Sequence, residues 1–148
     1  MESVDVLTDV VINCRLATVS AFASDPGNAM EWYANIKSVQ WKTPKPMTVG
    51  SQIAFTARFL GKKLEYTYEI AEFIPGEKFV MRTADGPFPM ETTYTWEKVA
   101  ERQTRMTLRN RGTPSGFSKF LAPFMAFAMR RENKKDLSRL KRILERDC

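Results

Sequence analysis

The sequence predicts an α+β domain in which a twisted, seven-stranded antiparallel sheet wraps around one long C-terminal helix, with two short helices after the first strand. Three observations predict it. Between Val4 and Asn110, apolar and polar residues alternate in short runs, the two-residue period of half-buried strands. Most of those runs are joined by short turns bearing Gly or Pro, which force neighbouring strands to be antiparallel. From residue 114 onward the apolar spacing changes to three and four, and only this terminal helix is long enough to cover one face of the sheet.

Val4, Val6, Thr8, Val10 and Ile12 form the first strand. Residues 15–23 read as a short helix carrying Leu16, Val19 and Phe22 on one side, stopped by Asp25-Pro26-Gly27-Asn28. Residues 29–33 make a second helical turn bearing Trp32. Strand character returns over 36–42 and ends at Thr43-Pro44-Lys45-Pro46, because proline cannot donate to a central ladder. The next two strands meet at Gly61-Lys62 and place Phe55 and Phe59, then Leu64, Tyr66 and Tyr68, on one face. A turn at Pro75-Gly76 leads to a short strand over 79–83 with Met81 inward. After Asp85-Gly86-Pro87, the residues Met90, Thr92, Tyr94 and Trp96 alternate with Glu91, Thr93, Thr95 and Glu97, and residues 104–110 form the last strand.

In the terminal segment, Phe117, Phe120, Leu121, Phe124, Met125 and Ala128 share one helical face. A charged run over 130–136 interrupts it before Leu137, Leu140, Ile143 and Leu144 resume. Pro123 means that the helix either kinks at that point or begins there after a short preceding turn.

Composition narrows the function. The 148 residues suit one domain with a real core, spanning 1–148. There is no histidine, which removes imidazole acid–base chemistry, histidine-activated nucleophiles and His-ligated zinc. No apolar run reaches membrane-spanning length, and the acidic N-terminus is unlike a secretory signal, so the expected location is cytoplasmic. Cys14 and Cys148 lie far apart, one of them terminal, which argues against a disulfide and against a metal site. No nucleotide-binding loop is present, and no cofactor is expected.

The formal charge is +6, and residues 130–146 hold eight Lys/Arg against three Asp/Glu, so +5 of charge sits on this one segment. A solvated helix face is the first reading, and a weak contact with a membrane surface or an acidic partner is the second. Nucleic acid is not expected as a partner, since no recognition motif accompanies the charge.

The face formed by Phe55, Phe59, Leu64, Tyr66, Tyr68, Met81, Met90, Thr92, Tyr94 and Trp96 looks toward Phe120, Phe124, Met125 and Met129 of the helix. A core built only for packing favours Val, Ile and Leu, and buried hydroxyls need partners. Polar groups scattered over an apolar, methionine-bearing wall also describe a small-molecule pocket. Both readings stand: tyrosines filling a core with their hydroxyls in water, or tyrosines pointing at a ligand. Glu65, Glu69, Glu91 and Glu97 have the opposite strand parity and point outward, so no inward acid is expected. Glu132 and Asn133 read first as solvent residues and second as the lining of a cavity mouth.

The order of these elements and several short motifs resemble a known family. The motifs are Ala21-Phe22-Ala23-Ser24-Asp25, Trp32-Tyr33 leading to Ile36-Lys37-Ser38-Val39, Val49-Gly50-Ser51, Phe59-Leu60-Gly61-Lys62, Glu72-Phe73-Ile74-Pro75-Gly76-Glu77 and the closing Asp136-Leu137-Ser138-Arg139-Leu140-Lys141. Together they resemble the START-like, helix-grip superfamily, also labelled SRPBCC or polyketide cyclase/dehydrase-like, across nearly the whole chain. The resemblance implies a sheet gripping the C-terminal helix over a deep cavity for a hydrophobic ligand. It carries no catalytic signature onto particular residues here, and fold alone does not set activity.

The functional expectation is a cytosolic carrier or sensor of a small hydrophobic molecule such as a lipid, polyketide or aromatic metabolite. The expected lining is Phe55, Phe59, Tyr66, Tyr68, Met81, Met90, Thr92, Tyr94 and Phe124, with Trp32, Met125 and Met129 near the entrance. The alternatives are a cyclase or dehydratase using the same cavity, and an interaction module using the basic helix.

Overall fold

The computed structural model of the protein describes residues 4–59, 61–86, 89–113 and 122–148, with the backbone alone for 59 and 122. Strand β1 (Val4–Ile12) leads into helix α1 (Leu16–Ser24), a 3₁₀ turn at Pro26–Asn28 and the short helix α2 (Ala29–Trp32). Six strands follow: β2 (Ile36–Trp41), β3 (Gln52–Phe59), β4 (Lys62–Ile74), β5 (Lys78–Asp85), β6 (Met90–Ala100) and β7 (Gln103–Gly112). Helix α3 (Ala122–Glu145) closes the chain. All seven strands form one antiparallel sheet in the order β1-β7-β6-β5-β4-β3-β2, a meander to whose last strand the first returns. The sheet grips α3, the helix-grip arrangement.

The strand alternation holds. Val4, Val6, Thr8 and Ile12 of β1, and Met90, Thr92, Tyr94 and Trp96 of β6, are buried on the helix-facing side. Gly76 takes φ +79°, a left-handed conformation that lets the β4–β5 connection reverse without Cβ strain. The other face is polar and ion-paired across strands. Arg109 grips Asp5 with two hydrogen bonds of 2.9 and 2.7 Å, and Glu91 sits between Arg82 and Arg111 at 2.6 and 2.7 Å. Hydrogen bonds from Arg109 and from Arg82 hold the Asp5 and Glu91 carboxyls, respectively, below the usual range. These exposed and partly exposed pairs contribute little, because solvent screens them.

α3 is 24 residues long, roughly 36 Å, and Pro123 stands in its first turn, where its missing N–H leaves no helical bond unmade. Phe117, Phe120 and Leu121 lie outside the described residues. Of the described residues grouped on that face, Met125 is buried at 1% exposure, whereas Phe124 is 55% exposed. The buried stripe is Met125, Asn133, Asp136, Leu137, Leu140 and Leu144. It passes straight through the charged run.

A larger core gathers Ile12, Trp32, Ile53, Ile70, Phe79, Met106 and Leu108 around Leu137, Leu140 and Leu144. A smaller one joins Val4, Val6, Tyr66 and Met90 to Met125. The expectation that the two cysteines stay apart is overturned. Cys14 and Cys148 form a disulfide across 134 residues, with Cα atoms 5.4 Å apart. The end of α3 runs back beside the end of β1: Lys141 donates to the Val11 carbonyl at 2.9 Å, and Glu145 accepts the Asn13 N–H at 2.7 Å. Sequence distance therefore says nothing about this pair. Among the described residues, no helix is long and apolar enough to cross a membrane.

Candidate functional site

Between the two cores, the sheet and α3 leave a cavity of about 170 Å³. Phe55, Tyr66, Tyr68 and Met81 wall it from β3, β4 and β5, and Met90, Thr92 and Tyr94 from β6. Met129 faces them from the helix. These eight residues of the expected set do meet around one space. Three do not line it. Trp32 is fully buried in the larger core, stacked on Tyr33 at 4.1 Å between ring centres, rather than standing at an entrance. Met125 is 1% exposed and packs in the smaller core, and Phe124 faces solvent. The side chain of Phe59 lies outside the described residues.

Several lining groups lie outside the expected set. Tyr33, at the end of α2, donates or accepts a 2.6 Å hydrogen bond with the Tyr94 hydroxyl. Thr92 donates to Asn110 Oδ1 at 2.7 Å, so a polar pair spans β6 and β7 on the cavity floor. Glu132 and Asn133 both line the cavity, and Asn133 is only 5% exposed, which removes the solvent reading for it. Asp136 corrects the expectation that no acid points inward: it lines the cavity and is 2% exposed. It comes from the helix, where strand parity has no bearing. Positions 129, 132, 133, 136 and 140 are spaced by three and four, so continuing the apolar stripe through the charged run finds it. Among the described residues, the only exposed ones in the lining are Asp25 and Arg58, which places the opening on their side.

The environment sets the chemistry of each group. Burial raises the Asp136 carboxyl from 3.8 to about 6, and the nearby Glu132 charge adds to the effect. A hydrogen bond from the Ala34 N–H, 3.2 Å from Oδ1, works against it. Burial likewise pushes the Tyr68 hydroxyl up to about 12, and those of Tyr33, Tyr66 and Tyr94 rise as well. Near neutral pH the tyrosines are therefore neutral hydrogen-bonding groups. Asp136, by contrast, gains and loses a proton close to neutrality. Gly86 contributes by its bareness: a Cβ there would come within 2.5 Å of the Tyr66 ring and displace this part of the wall.

Residues 3–145 match the family described as polyketide cyclase/dehydrase and lipid transport. The chain belongs to that family. Among solved structures, a START superfamily protein from Mycobacterium smegmatis superposes with a TM-score of 0.83 at 12% identity, covering 96% of this chain and 97% of its own. The Zhui aromatase/cyclase from Streptomyces sp. R1128 gives 0.81 at 13% identity, covering 96% and 93%. Major latex-like protein 151 of Panax ginseng gives 0.74 at 10%, covering 95% and 96%. At such identities the likeness shows the fold. No curated protein matches the sequence. As a member of the polyketide cyclase/dehydrase and lipid transport family, the chain has a hydrophobic-ligand-binding or cyclase role, and the cavity between sheet and α3 is its candidate site.

Proposed function

We propose that the protein is a cytosolic carrier or sensor that binds a small, largely apolar molecule, such as a lipid, polyketide or aromatic metabolite, between the sheet and α3. One observation carries this reading. A cavity of about 170 Å³ is walled by Phe55, Tyr66, Met81, Met90 and Met129, with hydroxyl, amide and carboxyl groups gathered on part of its surface. An apolar wall with a few convergent polar groups is the usual make-up of a small-molecule site, and methionine adapts its shape to a guest. Native mass spectrometry of protein purified from cells, with organic extraction, tests it. A discrete apolar adduct is expected. Loss of the reading would come from a clean apo mass together with no uptake of added hydrophobic compounds.

A second reading, a cyclase or dehydratase using the same cavity, is favoured by Asp136. A buried carboxyl near pH 6 is a competent proton donor or acceptor. It requires that Asp136→Asn abolish turnover of a bound poly-β-keto substrate while leaving its binding within a few-fold.

For partners, the outward face of α3 supports a weak contact with an anionic membrane surface. Phe124 and Phe127 are exposed there, followed by Arg131, Lys134 and Lys135. Apolar insertion and cationic attraction would act together. Flotation with phosphatidylserine vesicles should be lost in Phe124→Ser/Phe127→Ser if the contact exists.

A further inference from the structure

Among the described residues, three buried side-chain nitrogens have no hydrogen-bond partner: Trp32 Nε1, Trp96 Nε1 and Asn133 Nδ2. Only the last belongs to a cavity-lining residue. A buried donor left unmade is destabilising, so an amide held in this state beside an open cavity points to an acceptor supplied from outside the chain. One helical turn away on the same face stands Asp136, with one oxygen already engaged by the Ala34 N–H.

The charge around this corner selects further. The whole chain carries +6, yet among the described residues the cavity is lined by three acids, Asp25, Glu132 and Asp136, against one cation, Arg58. Arg58 and Asp25 are exposed at the opening, whereas Asp136 is buried and Glu132 half-buried, so among the described residues the charged groups of the inner surface are carboxyls. An anionic head group would enter against them. A cationic amine would suit the acids but has nothing to offer the Asn133 donor. A neutral carbonyl oxygen suits both conditions.

Resting on the reading of this cavity as a small-molecule site, we propose that Asn133 binds the carbonyl oxygen of a neutral, apolar ligand. The site thereby selects ketones and amides over fatty-acid-type anions and over amines, with Asp136 beside Asn133 as the group that excludes the anion.

Four naphthalenes that share one apolar body test this by isothermal titration calorimetry on the full chain: 2-acetylnaphthalene, 2-ethylnaphthalene, 2-naphthoate and 2-(aminomethyl)naphthalene. The ketone is expected to bind about five- to tenfold tighter than the ethyl compound, the equivalent of one hydrogen bond to a buried donor, with naphthoate the weakest. In Asn133→Leu the ketone's advantage should vanish while 2-ethylnaphthalene still binds, which also shows that the variant is folded. Asp136→Asn should raise naphthoate affinity at pH 8. Binding of the ethyl compound with no advantage for the ketone overturns this inference and leaves the cavity reading standing. So does a ketone advantage that survives Asn133→Leu, or an amine or naphthoate that binds as tightly as the ketone. Failure of all four to bind the wild type overturns both. Should Asn133→Leu not fold, the wild-type ranking decides alone.

Discussion

α3 is one helix with two ends that do different work. Beyond Asp136, Leu137, Leu140 and Leu144 are at most 6% exposed and interlock with Ile12, Met106 and Leu108. That end is also tied down by polar bonds: Lys141 to Val11 and Glu145, Asn13 to Glu145, and the Cys14–Cys148 disulfide. Before Asp136, Met125 packs in the smaller core, while Met129, Glu132 and Asn133 line the cavity. The first end uses branched aliphatics that fill one rotameric shape, and the second uses flexible thioether and polar groups that tolerate a guest. The lesson is that a ligand cavity needs a neighbouring dry core. The anchored end supplies the stability that lets the other end stay open and carry a buried acid.

The contrast can be broken, starting with the largest effect. Leu140→Ala should cost about 3 kcal/mol in chemical denaturation, as for a fully buried leucine, whereas Met129→Ala at the cavity should cost under about 1.5 kcal/mol. Equal losses would mean that the cavity end is as tightly packed as the other. Reducing the Cys14–Cys148 bond should lower stability by roughly 2–4 kcal/mol, given the long loop it closes, and should leave ligand affinity within twofold.

Asp136 offers a test of sign. Its pKa rises from 3.8 to about 6 on folding, so the folded state holds the proton more tightly than the unfolded chain. The group is harmless below pH 4 and destabilising above pH 6, by roughly 2–3 kcal/mol. Asp136→Asn should therefore raise the unfolding midpoint at pH 8 and leave it nearly unchanged at pH 4. Glu91 and Asp5 on the outer face have lowered values, and they contribute stability that is lost as pH falls. A variant with the same midpoint shift at both pH values would show that the Asp136 pKa does not differ between the folded and unfolded states. The smallest effect is Tyr94→Phe, which leaves the Tyr33 hydroxyl without its 2.6 Å partner and should cost about 1 kcal/mol. If Tyr94 also orients the ligand, affinity should fall by a similar amount, and calorimetry separates the two.

Much of the wall was legible from strand parity. Tyr66, Tyr68, Met90, Thr92 and Tyr94 fall on the inward phase of strands whose boundaries the turn residues mark, and no tertiary knowledge is needed to group them. Trp32 was not placeable in the same way. A lone aromatic on a four-residue helix has no period to show whether it faces core or opening. Phe124 misled because it was grouped with Met125 on one apolar face, yet adjacent helical positions point about 100° apart, and of the two only Met125 turns inward.

What the sequence by itself determined is the set of local choices. Seven strands, two short helices and a terminal helix follow from period, proline and glycine, because each is set by residues within a few positions of one another. Tertiary structure alone decided the site's polar corner and the disulfide. Asn133 and Asp136 are polar residues amid a charged run, and only the docking of α3 against β1 and α2 turns their side of the helix inward, where burial moves a carboxyl to about 6 and leaves an amide without a partner. Tyr33 reaches Tyr94 across 61 residues, and Cys14 reaches Cys148 across 134. Such pairings depend on where the sheet's first strand returns and how the helix crosses it, which are properties of the packed whole and not of any window along the chain.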